Sequence, residues 1–303
     1  MHFVLHVSLL GYGRFPRGIL RLSFRTRRCD LSQEILRELA QGECELPLWH
    51  TPWWLDATAG PESWGLVAAE SRGQVAAVLP YVFRKRGIFS LLTQPPLTQA
   101  LGPWIIHAER PTLSAEHAIL RDLLQRLPQA DGYRQNWMPE ITNWLPFYWE
   151  NYSQTSRYTY RIDLTPPEDE LWTAMEGRCR TAVKRGQKEV QIRAGQRADV
   201  SILWELVTET LRRKHHPISF SKNLVERIFY VGSLRGRVRI FLACDESGVA
   251  HAGALVADDA VRTYYLLGGR SSSRHSSGWM NALLWHVILD SQSRGSRIFD
   301  FEG

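Results

Sequence analysis

Residues 239–278, RIFLACDESGVAHAGALVADDAVRTYYLLGGRSSSRHSSG, decide how the rest of this chain is read. RIFLACD, VAHAGALVAD and VRTYYLLGG are short apolar runs separated by ESG and DA, the pattern of a three-strand meander with tight turns. Beyond them Met280, Leu283, Leu284, Val287 and Ile288 recur at three- and four-residue spacing, which predicts a helix over about 280–294. The connector GGRSSSRHSSG therefore joins a strand to a helix N-terminus, where backbone N–H groups lack partners. Two readings are open for it. One is a serine-capped loop with solvated arginines; the other is an anion seat built from Gly269, Arg270, Ser276, Ser277 and Gly278.

The meander has a counterpart in the first half of the chain. WGLVAAE, QVAAVLPYVFR and GIFSLLT follow one another through SRG and RKRG turns, and Gly73 falls 175 positions before Gly248, as Thr93 does before Gly268. Each set leads through a loop to a helix, about 112–127 in the first half. A repeat of this kind sets the architecture: a mixed α/β protein of two similar units in tandem, with boundaries at 31–153 and 154–303. Residues 1–30 are set aside as an Arg-rich extension outside the globular part. Arg14, Arg17, Arg21, Arg25, Arg27 and Arg28 stand there without an Asp or Glu before Asp30, a composition shared by transit peptides and by spurious upstream extensions.

At 303 residues the chain is long enough for two cores. The net charge of +6 suits an anionic substrate, a coenzyme with phosphates, an RNA or a membrane surface, and by itself selects none of them. Four cysteines, Cys29, Cys44, Cys179 and Cys244, show no paired spacing. This points to a reducing compartment, the cytoplasm, and away from a disulfide framework or a zinc site. No apolar run reaches the ~18 residues of a membrane span. GxSxG, HExxH, Walker and GxGxxG patterns are missing, which disfavours serine-hydrolase, zinc-protease, P-loop and Rossmann readings.

Two further stretches carry chemistry. EGRCRTAVKRGQKE crowds Arg178, Arg180, Lys184, Arg185 and Lys188 into one helical segment, within a helix expected to run on from TPPEDELWTAM. Arg178, Arg180 and Lys184 are the candidates for binding an anionic substrate, the alternative being a solvated face. At the end of the chain, SRIFDFEG alternates Asp300 and Glu302 with Phe299 and Phe301. A strand there turns both carboxylates to one face, where either serves as general base or steers an amine; the alternative is a solvent-facing strand end. His251 lies on a strand, either buried and bonded or facing a cleft. No metal site is expected.

HTPWWLDA, LPYVF, LTQPPLTQALGPW, GRCRTAVKRGQK, YYLLGGRSSSRHSSGWMNALLWHVI and FDFEG together resemble the FemAB-like branch of the GNAT (N-acetyltransferase) superfamily over roughly residues 46–303. The resemblance implies two GNAT-like domains in tandem, each a central, mostly antiparallel sheet flanked by helices, and transfer of an acyl group from an activated donor to an amine. The donor is acyl-CoA (acetyl-CoA), with aminoacyl-tRNA as the alternative, since one part of the branch moves amino acids from tRNA onto cell-wall peptidoglycan precursors. Other members act as acyl-CoA-dependent enzymes beside polysaccharide genes. The implied acceptor is a small molecule or cell-envelope precursor amine, and no DNA partner is expected.

By the same resemblance, Gly269–Gly278 receives the donor phosphates and Arg178–Lys188 faces an anionic partner. The sequence departs from the pattern at three points. Arg270 is followed by Ser271, Ser272 and Ser273 rather than by the x-x-Gly-x-Gly/Ala of ordinary acetyl-CoA loops. No long heptad segment forms the helical arm of the cross-bridge enzymes. The family continues past the position of Gly303, so the chain reads as truncated, with a non-catalytic relic or RNA-binding adaptor as the competing class.

Overall fold

The computed structural model describes residues 2–11, 27–42, 45–106, 111–272 and 278–302, with side chains from residue 33 onward. The chain divides into two compact units, Val4–Tyr158 and Thr159–Gly303, the latter taking in Met1–Phe3.

In the N-terminal unit the described elements run β1 (His2–Gly11), α1 (Arg27–Gln41), α2 (Pro52–Ala59), β2 (Gly65–Ser71), β3 (Gln74–Arg86), β4 (Phe89–Thr93), β5 (Trp104–Ile105), α3 (Leu113–Arg126), β6 (Gly132–Asn136) and α4 (Leu145–Trp149). The expected meander is there: β2 and β4 both pair antiparallel with β3. β6 then lies parallel to β4, a pairing a hairpin cannot make and which α3 makes possible by carrying the chain back. The Thr112 hydroxyl caps α3 by accepting from the Ala115 amide at 3.3 Å. β1 pairs antiparallel with β6, Ser8 opposite Asn136. Part of the segment set aside as an extension is thus a strand.

Aromatic side chains fill this unit. Trp49, Trp54, Trp64, Trp137 and Phe147 are all buried. A buried polar network lies among them: Trp137 donates its indole N–H to the Tyr133 hydroxyl at 3.2 Å, and Gln135 accepts from the Gly102 amide and the Tyr133 hydroxyl and donates to the Pro80 carbonyl. His50 is buried with Nε2 donating to the Gly102 carbonyl at 3.0 Å. Burial pulls its pKa down from 6.5 to about 4.

Residues 159–163 of β7 (Ser153–Asp163) open the C-terminal unit, followed by α5 (Glu168–Ala174), α6 (Gly177–Glu189), β8 (Gln191–Ala194), α7 (Val200–Arg213), α8 (Lys222–Ser233), β9 (Val238–Cys244), β10 (Ala250–Asp258), β11 (Arg262–Arg270), α9 (Trp279–Ser293) and β12 (Ile298–Asp300). The strand order is β7-β12-β11-β10-β9-β8. The meander β9-β10-β11 is antiparallel, and β12 returns through α9 to lie parallel to β11. Meander, helix and parallel strand occur in this order in both units, so the fold is the tandem GNAT-like α/β arrangement. The core packs Ala252, Ala254 and Val256 against Leu283, Val287, Ile288 and Phe299.

One expectation needs correction. The helix foreseen from Pro167 through Lys188 is two, because Met175 and Glu176 are extended, with ψ of 142 at both. The Arg180 guanidinium spans the break, donating to the carbonyls of Thr173 at 2.9 Å and of Met175. Among the described residues no helix is long and apolar enough to cross a membrane.

Candidate active site

β11, the loop after it and α9 form the frame on which the expected residues are placed. β11 pairs with β12 only over Arg262–Tyr264, opposite Ile298–Asp300. Gly269 lies in β11 itself, where a Cβ would meet the Leu206 carbonyl carbon at 2.2 Å. Its missing side chain lets α7 lie directly on the strand.

Arg270 is exposed, and its backbone is clamped by Thr210, whose hydroxyl accepts from its N–H at 2.9 Å and donates to its carbonyl at 3.2 Å. The next two amides are also engaged. Ser271 donates to the His251 carbonyl at 2.8 Å. Ser272 donates to the Glu209 carboxylate through its N–H at 2.8 Å and through its hydroxyl. These bonds hold the Glu209 carboxyl below its usual range. The first anion at this loop is therefore a side chain of α7, which nothing in the local sequence announced. Ser276 and Ser277 lie outside the described residues.

Gly278 begins α9 against the basic helix. A Cβ on it would stand 2.5 Å from the Ala182 carbonyl oxygen. The first residue of α9, Trp279, donates its indole N–H to Glu189 at 2.6 Å and packs its ring against His251, centroids 4.4 Å apart. His251 is the extra residue of a bulge in β10, where Ala250 and Ala252 pair with the adjacent Cys244 and Ala243. A bulge re-aims its side chain. The ring is buried, with Nε2 donating to Asp245 at 2.7 Å. Ser247 and His251 hold the Asp245 carboxyl far below its usual range. Of the two readings open for His251, the structure shows the buried, bonded one.

The three basic candidates on α6 part company. Arg178 is 84% exposed and pairs only with Glu176 among the described residues, at 2.6 Å. Arg180 is committed to the carbonyls that end α5, and the Lys184 ammonium stands 5.7 Å from the centre of the Trp172 ring.

At the chain's end Phe299 is buried and Phe301 packs beside it, as the alternation required. Asp300 is fully buried, accepting from Thr159 Oγ1 at 2.5 Å, Arg161 Nε at 2.6 Å and the Glu302 amide at 3.0 Å. Its two side-chain partners come from β7, and the Glu302 amide ties the residues just past β12 to it. Glu302 is half-buried just past β12, at a φ of 53°. Among the described residues no three His, Cys, Asp or Glu side chains gather as a metal site.

Residues 175–303 match the family model of the acetyltransferase (GNAT) domain. The structure of FemX is similar over 94% of this chain and 89% of its own, with 13% identity and a TM-score of 0.60, a likeness of fold. L-PGS from Bacillus licheniformis is 12% identical over 88% of this chain and 74% of its own, with a TM-score of 0.48. No curated protein sequence matches the chain significantly. Residues 175–303 thus carry a GNAT acetyltransferase-type domain, and the chain shares the fold of FemX.

Proposed function

We propose that the protein is an N-acyltransferase in which an amine attacks the activated carbonyl of a donor bound beside β11. The observation that carries the reading is the strand–loop–helix unit β11–α9 within a GNAT domain, its parallel partner β12 covering only the first three residues of β11. The amine nitrogen forms the new C–N bond and the donor's C–S or C–O bond breaks. The amine's proton goes to a base and the leaving thiolate or alkoxide is protonated in turn. Glu302 is the carboxylate assigned to the amine. Asp300, tied to Thr159 and Arg161, positions the backbone that carries it. Arg270, Ser276, Ser277 and Gly278 are assigned to the donor phosphates, and the exposed Arg178 to an anionic acceptor such as a cell-envelope precursor, with the reaction in the cytoplasm.

Acyl-CoA is the first donor to test, with acetyl-CoA and a panel of amines and free thiol as the readout. Thiol release that depends on one amine and disappears in Glu302→Gln supports the reading; no release above background with any amine overturns it for acyl-CoA. Aminoacyl-tRNA is the second donor. The triple serine after Arg270, where acetyl-CoA loops carry glycines, favours it. Transfer of the amino acid from charged tRNA to a peptidoglycan-type amine supports this form of the reading. Binding of either donor without turnover indicates an adaptor.

A further inference from the structure

The β3–β4 hairpin carries a feature that acyl transfer does not use. β3 leaves β2 after Tyr81, and β4 meets β6 only from Leu91 inward. The pairs Lys85–Ser90 and Arg86–Phe89 therefore form a two-stranded ribbon beyond the rest of the sheet. Every residue from Phe83 to Phe89 is exposed. At the turn, Gly87 takes a φ of 62° and Ile88 is 91% exposed, with Phe89 at 58%. An isolated ribbon gains little from its own pairing, so apolar side chains at its tip are not there to complete a core.

Arg84, Lys85 and Arg86 precede the tip and have no ion-pair partner among the described residues. No acid occurs between Val82 and Thr93. The nearest acid in contact is Asp131, which accepts from the Ser90 amide at 2.7 Å at the ribbon's base.

We propose that this hairpin tip docks the protein on an anionic lipid surface, with Ile88 and Phe89 entering the headgroup layer and Arg84, Lys85 and Arg86 meeting lipid phosphates. The cations are complementary to an anionic leaflet, whose attraction acts within a Debye length of the surface. The apolar tip decides against a purely electrostatic partner. RNA is the other polyanion such cations suit, and the aliphatic Ile88 at the outermost position favours a lipid surface over it. The inference is independent of which acyl donor the C-terminal unit uses.

The test is co-sedimentation of the full chain with phosphatidylglycerol–phosphatidylcholine vesicles, against vesicles of phosphatidylcholine alone and against uncharged tRNA. The wild type is expected to bind the anionic vesicles and not the neutral ones. Joint Arg84→Glu, Lys85→Glu and Arg86→Glu substitution is expected to weaken binding by at least about tenfold. Ile88→Asp, which keeps all three cations, is expected to weaken it severalfold and remove the part that survives high salt. Both variants change exposed side chains, so unchanged thermal unfolding confirms that each is folded, and Ile88→Ser provides a milder substitution should Ile88→Asp fail. The proposal is overturned if the wild type ignores anionic vesicles, if the variants bind them as well as the wild type does, or if the variants lose only tRNA.

Discussion

A Cβ placed on Gly186 would stand 2.2 Å from the carbonyl oxygen of Gly278. The basic helix α6 and the start of α9 therefore meet backbone to backbone, and neither glycine has room for a side chain. Gly186→Ala should cost about 2 kcal/mol or more, because the obstructing atom is backbone and must move with its helix. Denaturant unfolding of the whole chain measures it, and a stability equal to wild type would mean the two helices are not in this contact.

The carboxylates at the end of the chain should separate by phenotype. Asp300→Asn removes the fully buried negative charge that faces the Arg161 guanidinium, and a loss of about 3 kcal/mol is expected. Glu302→Gln should leave stability within about 0.5 kcal/mol of wild type and reduce turnover by about a hundredfold or more. If Asp300→Asn folds at full stability and only turnover falls, the assignment of the two residues is reversed.

Arg178 and Arg180 should likewise behave differently although they are two residues apart. Removing the Arg180 side chain deprives the end of α5 of its donors and should cost about 1 kcal/mol. Arg178→Ala should leave stability unchanged within about 0.5 kcal/mol and raise KM for an anionic acceptor severalfold while kcat holds. Thermal unfolding and steady-state kinetics on the two variants separate the effects.

His50 makes the chain acid-sensitive in a defined window. Its pKa is lowered from 6.5 to about 4 in the folded state, so between these values the unfolded chain binds the proton and the folded one resists it. Stability is full above pH 6.5, falls as pH drops toward 4, and by then has lost on the order of 3 kcal/mol from this group. Urea midpoints across this range measure the slope, and His50→Gln, which still offers a donor to Gly102, should flatten it.

Much of the architecture was legible in the sequence. The meanders lie where the alternating runs and glycine turns put them, and α3 and α9 begin within a residue of the positions indicated by Thr112 and Met280. The break between α5 and α6 was not legible, because the acids and bases of that stretch suit one long helix as well as two. Nor was β1, whose arginine-poor start was read together with the arginine-rich residues that follow it.

What the sequence by itself determined is local: strand alternation, helix spacing, caps and turns depend on residues a few positions apart. That was enough to indicate a repeated α/β unit with a strand, a connector and a helix at the end of each meander, and the resemblance added the GNAT-like reading. The fate of each charged side chain was decided only by the tertiary structure. Arg161 and Asp300 are 139 residues apart, Ser272 and Glu209 63 apart, and Trp279 and Glu189 90 apart. A carboxylate in a strand reads the same whether it faces solvent or a buried guanidinium, because its energy depends on partners that chain folding brings from elsewhere. That is why Asp300 reads in the sequence as a carboxylate on an open face, while in the fold it is buried against Thr159 and Arg161.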